Sequence, residues 1–267
     1  MNNQVAPKYP QFIISVDNEM FQSVLPAIDG IVGIKASDWL LDAQSHIVIR
    51  QRSHLDEVPS KVLNPTTNKP AWKGDRSYRQ VLPYTIIREL GDDGVYKYHT
   101  YRRPVKGEGE SRLAGNVSIG YGGHIDLDDV VSHNSIVDLA ETIKIAVFRE
   151  VIKEETTAVN PAEQYLVNSL EINYANLFIL DDTNDVGCLH VGVLMIIDLP
   201  KGLEVTTAEA DMTQMHPMTA QELIASDYPI EPWSEIYLHY AVHNHLHMAP
   251  MDTDPESASD TTFALPA

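Results

Sequence analysis

Residues 141–155 read ETIKIAVFREVIKEE, and they are the most informative segment of this chain of 267 residues. Apolar residues recur at helical spacing from position 136 to position 151, which predicts a helix over residues 135–157. Ala146, Glu150 and Glu154 follow one another at intervals of four residues and share one face of that helix. Two carboxylates stacked a turn apart repel each other unless a cation lies between them. Glu150 and Glu154 are therefore candidate ligands of a divalent metal ion.

A solvated helix face is the simpler explanation of these acids, because Arg149 and Lys153 in the same segment can pair with them. The helix alone favours that explanation. The sequence GYGGH at residues 120–124 changes the balance, since glycines between a strand-like run and a helix let the backbone approach a ligand closely. The carbonyl oxygen of Gly123 can then join the carboxylates around the ion. Oxygen ligands favour a hard ion, Mg²⁺ or Mn²⁺.

The order of these features resembles the Nudix box, which is written G-x5-E-x7-R-E-U-x-E-E-x-G-U. Glu141, Arg149, Glu150, Val151 and Glu154 occupy its E, R, E, U and final E positions. Several other segments resemble a bacterial and phage branch of Nudix proteins known as predicted phosphoesterases, and together they cover about residues 77–240. These segments are YRQVLPY at 78–84, YRR at 101–103, GESRL at 109–113, IGYGGHI at 119–125, DDT at 181–183 and LHVG at 189–192.

The chain departs from the box at three points. Gly123 lies farther from the helix than the box allows, so residues 125–134 are expected to form an inserted loop. Lys153 stands where the first acid of the E-E pair is expected, and Thr156 replaces the box glycine. Glu155 can compensate only if the helix shifts its register, because an ideal helix turns successive side chains by about 100°. Glu154 is therefore the better ligand.

The resemblance implies an α/β fold, a Nudix-type α/β/α sandwich with a mixed sheet. It implies that Glu150, Glu154 and the Gly123 carbonyl bind Mg²⁺, with Mn²⁺ as the alternative ion, and that Glu141 pairs with Arg149 to fix the helix against the loop. The implied reaction is hydrolysis of a phosphoanhydride bond in a nucleoside diphosphate linked to another moiety. In that reaction the ion neutralises charge on the phosphate and lowers the pKa of the attacking water.

Four residues are candidate substrate contacts. Arg103 and Arg112 flank a Gly-Glu-rich loop, where a guanidinium can hold a phosphate, although neighbouring glutamates offer both arginines ordinary surface pairs. His124 follows the Gly-Gly pair, and Asp182 lies between two late strands, where an Asx turn is an equally good explanation. The spacing of four later histidines is compatible with a transition-metal site, but no catalytic pattern accompanies them and they are interpreted as incidental: His239, His243, His245 and His247. His190 is interpreted as packing on a strand.

Two other functions compete with the hydrolase. A catalytically weak or inactive Nudix domain, serving as a nucleotide-ligand sensor or an interaction module, is favoured by Lys153. The retained box acids argue against it, because two like charges one turn apart cost a few tenths of a kcal/mol when no cation separates them. An isomerase of isoprenyl diphosphates would need a cysteine in a particular loop, whereas Cys188 lies near a late strand.

Strand and helix signals outside the box fit the same fold class. A hairpin is expected from residues 80–88 and 95–102, joined by a GDDG turn, and two further strands are expected at 174–180 and 189–199. Short helices are expected over residues 219–225 and after Pro232. Alternating strands and helices of this kind are typical of a layered α/β domain.

Composition limits the partners and the compartment. The net charge of −19 repels nucleic acid and anionic membranes, so the expected partner is a small-molecule nucleoside diphosphate derivative. A single cysteine excludes an internal disulfide and indicates a reducing, cytoplasmic location. Residues 1–75 are predicted to form a small α+β extension that covers the cleft or makes a homodimer contact. Residues 76–247 form the catalytic domain, and residues 248–267 form a disordered acidic tail.

Overall fold

The computed structural model describes residues 12–17, 30–33, 47–51, 58–63, 70–73, 78–105, 113–134, 136–181 and 187–249. The strands are β1 (Phe12–Asp17), β2 (Gly30–Gly33), β3 (Ile47–Gln51), β4 (Val58–Leu63), β5 (Pro70–Lys73), β6 (Tyr78–Leu90), β7 (Tyr96–Tyr98), β8 (Tyr101–Arg102), β9 (Val117–Ser118), β10 (Gly120–Tyr121), β11 (Ser132–His133), β12 (Ile136–Val137), β13 (Thr156–Ala158), β14 (Asn173–Leu180), β15 (His190–Leu199), β16 (Val205–Thr207), β17 (Thr213–Gln214) and β18 (Met218–Thr219). The α-helices are α1 (Leu139–Val147), α2 (Gln164–Val167), α3 (Ala220–Ile224) and α4 (Pro232–His243), and a π-helix spans Phe148–Glu155.

A central sheet of nine strands carries the fold. Its order is β18-β7-β6-β15-β14-β2, with β1 and β10 also paired to β6, and β3 paired to β1. The ladder between β6 and β15 is parallel and runs from His190 opposite Gln80 to Leu199 opposite Glu89. The other ladders of this sheet are antiparallel. The mixed sheet expected from the sequence is confirmed, and three strands from the first 75 residues are hydrogen-bonded into it. The boundary at residue 75 stays a prediction.

Two apolar cores lie on opposite faces of the sheet. In β15, Val193 and Met195 face the core that contains α1, while Leu194 between them faces the core that contains α3 and α4. This alternation follows from the two-residue period of a strand, which sends successive side chains to opposite faces. A sheet buried on both faces by helices is the three-layer α/β/α arrangement, so the expected architecture is confirmed.

The helix that follows the glycine-rich loop is shorter than the sequence predicts, and its geometry changes midway. The strands β11 and β12 form a hairpin up to Val137, so the chain is still extended where residues 135–137 were expected to be helical. Asp138 then caps α1, because its side chain accepts a hydrogen bond of 3.0 Å from the backbone amide of Glu141. After Val147 the helix continues as the π-helix, and it ends where β13 pairs with β16.

Within the described ranges, every helix falls short of the length and apolar character needed to cross a bilayer. The acidic tail predicted from residue 248 onward lies outside the described residues except for Met248 and Ala249. The hairpin and the two late strands predicted from the sequence are present as β6 with β7, and as β14 with β15.

Candidate active site

A gap in the pairing of β6 opens the cleft. One edge of this long strand pairs with β15 from Gln80 to Glu89, whereas its other edge is shared in succession by β1, β10 and β7. Among the described residues no strand pairs with positions 81–84 on that edge. Pro83 lies in the gap and has no backbone N–H to leave unsatisfied, so the unpaired edge is tolerated there. Leu82, Pro83 and Tyr84 line a cavity of about 360 Å³ at this point.

The glycine loop lies between this cavity and the π-helix. A side chain at Gly122 would collide with the carbonyl oxygen of Pro83, and its φ of +132° is one that other residues rarely adopt. A side chain at Gly123 would collide with the carboxylate of Glu150. Only glycines let the backbone lie directly against the carboxylate of the helix, as the sequence had indicated.

Arg149 holds an acidic cluster together. Its Nε and Nη2 donate to the two carboxylate oxygens of Asp129 at 2.8 Å each, and its Nη2 also donates to the carbonyl oxygen of His124 at 3.1 Å. Its Nη1 contacts Glu150 at 2.5 Å and Glu154 at 3.6 Å. The ion pair between Arg149 and Asp129 fixes the helix to the inserted loop, because Asp129 lies in that loop and is 2% exposed.

The predicted pair between Glu141 and Arg149 is therefore wrong. Arg149 uses the acids of the inserted loop instead, and Glu141 is an exposed residue of the first turn of α1. Residues eight apart are separated by about 12 Å along a helix axis, which an arginine spans only at the limit of its reach. The inserted loop brings a carboxylate closer. This insertion was noticed in the sequence, but its acids were not given a role.

Glu155 is the site residue that the sequence analysis set aside. In a π-helix the repeating contact joins residues five apart, so residues 150 and 155 lie about one turn apart on the same side of the segment. Glu155 is only 8% exposed, while the side chain of Glu154 is 58% exposed. The shift of register that would bring Glu155 into the site is thus present. The doublet Glu154-Glu155 after Lys153 was the signal for it.

Burial and charge perturb the acids of this face. Burial, together with the neighbouring charge of Glu150, raises the pKa of Glu155 to about 8, against an opposing hydrogen bond from the backbone of Gly122. Burial also raises the pKa of Glu150, although its bond to Arg149 acts in the opposite direction. Burial and then Asp211 raise the pKa of Glu209, which faces the same cluster. The carboxylates of this face repel one another because few cationic side chains lie nearby. A bound cation would reduce that repulsion.

The donor set fits a hard divalent cation, although no group of three His, Cys, Asp or Glu side chains in the described ranges is close enough to hold one as it stands. The fit is supported by the state of one carboxylate oxygen. Oε2 of Glu155 is buried and has no hydrogen-bond partner. A buried carboxylate oxygen left in this state is costly, and coordination of an ion is one way to satisfy it.

The cavity beside the loop is lined by a second charged pair. Arg103 Nη2 lies 3.5 Å from Oε1 of Glu231 and donates to the hydroxyl of Tyr101 at 3.3 Å. Trp233 completes the wall from the first turn of α4. Neither Glu231 nor Trp233 was singled out in the sequence, because an acid and a tryptophan near a helix start carry no signal of their own.

The remaining predicted contacts are placed as follows. Arg103 lies in the wall of the cavity. His190, at the start of β15, lines the cavity, and the ring of His124 lies 6.4 Å from the ring of His190. Arg112 and Asp182 lie outside the described residues, as does the side chain of Cys188.

Comparison with known proteins agrees with this geometry. The solved structure of Tm1382, described as a candidate Nudix hydrolase, superposes with a TM-score of 0.59 over 87% of this chain and 99% of its own, at 19% sequence identity. The chain has the Nudix fold.

Other comparisons are more distant in structure or limited in coverage. Protein YmaB of Bacillus subtilis (strain 168) is 29% identical over 163 residues, which are 60% of this chain and 70% of that protein. The NUDIX domain of NrtR from Shewanella oneidensis, crystallised with ADP-ribose, gives a TM-score of 0.37 over 68% of this chain at 10% identity, a similarity too low to argue from. No family model matches the chain.

Proposed function

We propose that this protein is a hydrolase that uses Mg²⁺, or Mn²⁺, to cleave the phosphoanhydride bond of a nucleoside diphosphate linked to another moiety. The observation that supports the proposal most strongly is the buried carboxylate of Glu155. It faces the glycine loop near Glu150 and has one oxygen without a partner. A fold that binds no cation there would gain stability by replacing this acid with an uncharged residue.

The ion would be held by Glu150, Glu154 and Glu155, with the carbonyl oxygen of Gly123 as a further ligand. When bound, it supplies positive charge to a phosphate and lowers the pKa of an attacking water. Glu155 holds a proton at neutral pH in the ion-free protein, since its pKa is about 8, and releases it when its oxygens bind a cation.

The other residues of the site position the ligands and the substrate. Arg149 anchors the π-helix to Asp129, which keeps Glu150 against the glycine loop. Arg103 lies in the cavity wall and is a proposed substrate contact. His124, whose ring lies 6.4 Å from the ring of the lining residue His190, is the other proposed contact. The lining of the cavity is mostly apolar.

A nucleotide sensor without activity is the second candidate function, and it rests on Lys153. The side chain of Lys153 is exposed, and its Nζ lies 4.9 Å from the ring centroid of Phe148 on the outer surface of the π-helix. The ammonium is therefore directed to a residue five positions earlier and not into the acidic cluster. This placement weakens the one sequence feature that favours an inactive protein.

The test is hydrolysis of ADP-ribose, NAD, dinucleoside polyphosphates, nucleotide sugars and nucleoside triphosphates with Mg²⁺. We expect Glu155→Gln and Glu150→Gln to lower kcat by at least about 100-fold, because each removes an anionic oxygen from the ion. Glu171→Gln changes an exposed carboxylate that is not among the proposed site residues, and this variant is expected to retain wild-type turnover. No turnover of any compound by the wild type, with one of them still bound, would support the sensor and contradict the hydrolase.

A further inference from the structure

Arg103 lies within electrostatic reach of two different carboxylates. Its side chain is 27% exposed, and its Nη2 lies 3.5 Å from Oε1 of Glu231. Its charge also acts on Glu155: burial and the charge of Glu150 raise the pKa of that carboxyl, and the guanidinium of Arg103 opposes them. The close contact in the structure is nevertheless the one with Glu231.

Backbone hydrogen bonds hold both members of this ion pair in place. The backbone N–H of Arg103 donates to the carbonyl oxygen of Asn116 at 2.9 Å, and that of Glu231 donates to the carbonyl oxygen of Val117 at 2.9 Å. The backbone N–H of Val117 donates in turn to the carbonyl oxygen of Pro229 at 2.7 Å. Because two consecutive residues hold both backbones, the fold sets the distance between the two charged side chains.

The position of Glu231 in its helix does not explain its carboxylate. Glu231 occupies the N-cap position of α4 without a side-chain capping bond, whereas a helix start is stabilised best by Ser, Thr, Asp or Asn. Its side chain is 10% exposed, and its buried Oε2 has no hydrogen-bond partner, which costs stability. Among the described residues, Arg103 is the cationic side chain that pairs with it. Control of that guanidinium is therefore what the carboxylate contributes.

Loss of the contact would leave the guanidinium near an acid that still lacks a partner. Oε2 of Glu155 is buried and makes no hydrogen bond. An arginine side chain is long and has many rotamers, so a released Arg103 can move its charge toward that carboxylate. A guanidinium paired with Glu155 would take the place of a cation there. Arg103 is thus a competitor of any ion that this carboxylate binds.

We infer that Glu231 is a positioning residue, which holds the guanidinium of Arg103 at the cavity wall and away from Glu155, so that this carboxylate stays available to a divalent cation. The inference deepens the proposed function and rests on it for the cation. The same contact keeps Arg103 where it can meet a substrate. Because the mechanism is competition, removal of the competing guanidinium should repair the loss of Glu231.

The test measures Mn²⁺ binding without substrate, by electron paramagnetic resonance of the free ion. We expect Glu231→Gln to weaken binding by at least about threefold, since an ion pair between partly exposed groups contributes up to a factor of about five. The double variant Arg103→Gln/Glu231→Gln should bind within about twofold of Arg103→Gln, because no competitor remains. Glu235→Gln removes an exposed carboxylate from the first turn of the same helix and should bind like the wild type.

A purely structural role of Glu231 at the start of α4 would weaken Mn²⁺ binding equally with and without Arg103. That result, or wild-type affinity in Glu231→Gln, would overturn the inference. Circular dichroism checks that each variant folds. If Glu231→Gln does not fold, Glu231→Asp takes its place: it keeps the charge but lengthens the gap to the guanidinium, and it should lose affinity by a smaller factor only when Arg103 is present.

Two further outcomes separate the inference from the proposed function. A wild type that binds no Mn²⁺ would overturn both. The expected pattern of Mn²⁺ affinities, in a protein that hydrolyses none of the nucleotide compounds, would overturn the hydrolase and leave the role of Glu231 in place.

Discussion

Replacing Glu155 by glutamine is expected to change how stability depends on pH in the ion-free protein. Burial and the charge of Glu150 raise the pKa of Glu155 from 4.5 to about 8 in the folded state. The folded protein therefore keeps a proton that the unfolded chain has already lost near pH 4.5. The stabilisation from this proton is fully present below pH 4.5 and is lost as the pH rises through 8.

The size of the effect follows from this difference in pKa. Between the two pKa values the free energy of unfolding falls by about 1.4 kcal/mol for each pH unit, because the unfolded state binds one proton fewer. From pH 6.5 to pH 8 the wild type should lose about 2 kcal/mol relative to Glu155→Gln, which carries no titrating group at this position.

Urea unfolding followed by circular dichroism, in EDTA at pH 6.5, 7, 7.5 and 8, measures this difference. Other titrating groups act equally on both proteins, so the quantity of interest is the wild type minus the variant. Glu171→Gln serves as the control and should follow the wild type, because its carboxylate is exposed. Parallel curves for the wild type and Glu155→Gln would refute the reasoning, since the carboxylate would then titrate alike in both states.

Three further changes test other parts of the structure. Asp129→Asn should lower the free energy of unfolding by about 2 kcal/mol, because it removes the buried charge that receives two bonds from Arg149, whose side chain is 28% exposed; unchanged urea midpoints would contradict this. His99→Leu should flatten the acid limb of stability: burial lowers the pKa of His99 to about 4, so the wild type loses about 3 kcal/mol as the pH falls from 6.5 to 4, and equal slopes in thermal unfolding would argue against it. Gly120→Ala should cost about 3 kcal/mol, because the added carbon enters the space of the Tyr84 ring, and a melting temperature like that of the wild type would show that the ring can move.

The layered fold was predictable from periodicity and from the order of the motifs. Strand alternation at residues 189–199 and helical spacing from residue 139 onward correspond to β15 and α1, and the glycines before α1 indicated a close backbone approach. Local patterns of this kind depend on neighbours in sequence. Single-sequence analysis therefore recovered them, with errors mainly at the ends of elements.

The details of the candidate site were less accessible because they depend on geometry that the sequence does not state. Glu155 was placed about 100° from its neighbour on the assumption of an ideal α-helix, and the π-helix removes that assumption. Asp129 replaced Glu141 as the partner of Arg149 because the inserted loop folds back over the helix. Glu231 meets Arg103 across 128 positions of sequence, a pairing that only the tertiary structure reveals.

The long parallel ladder between β6 and β15 also shapes how the chain must fold. Paired residues of this ladder, such as Gln80 and His190, are 110 positions apart. The ladder therefore cannot form until the segment between β6 and β15 has been synthesised. At typical rates of translation this delay lasts roughly 5 to 20 s. During that interval one edge of a strand of 13 residues stays open to other chains. We expect chaperone binding to nascent chains to peak between the synthesis of β6 and that of β15.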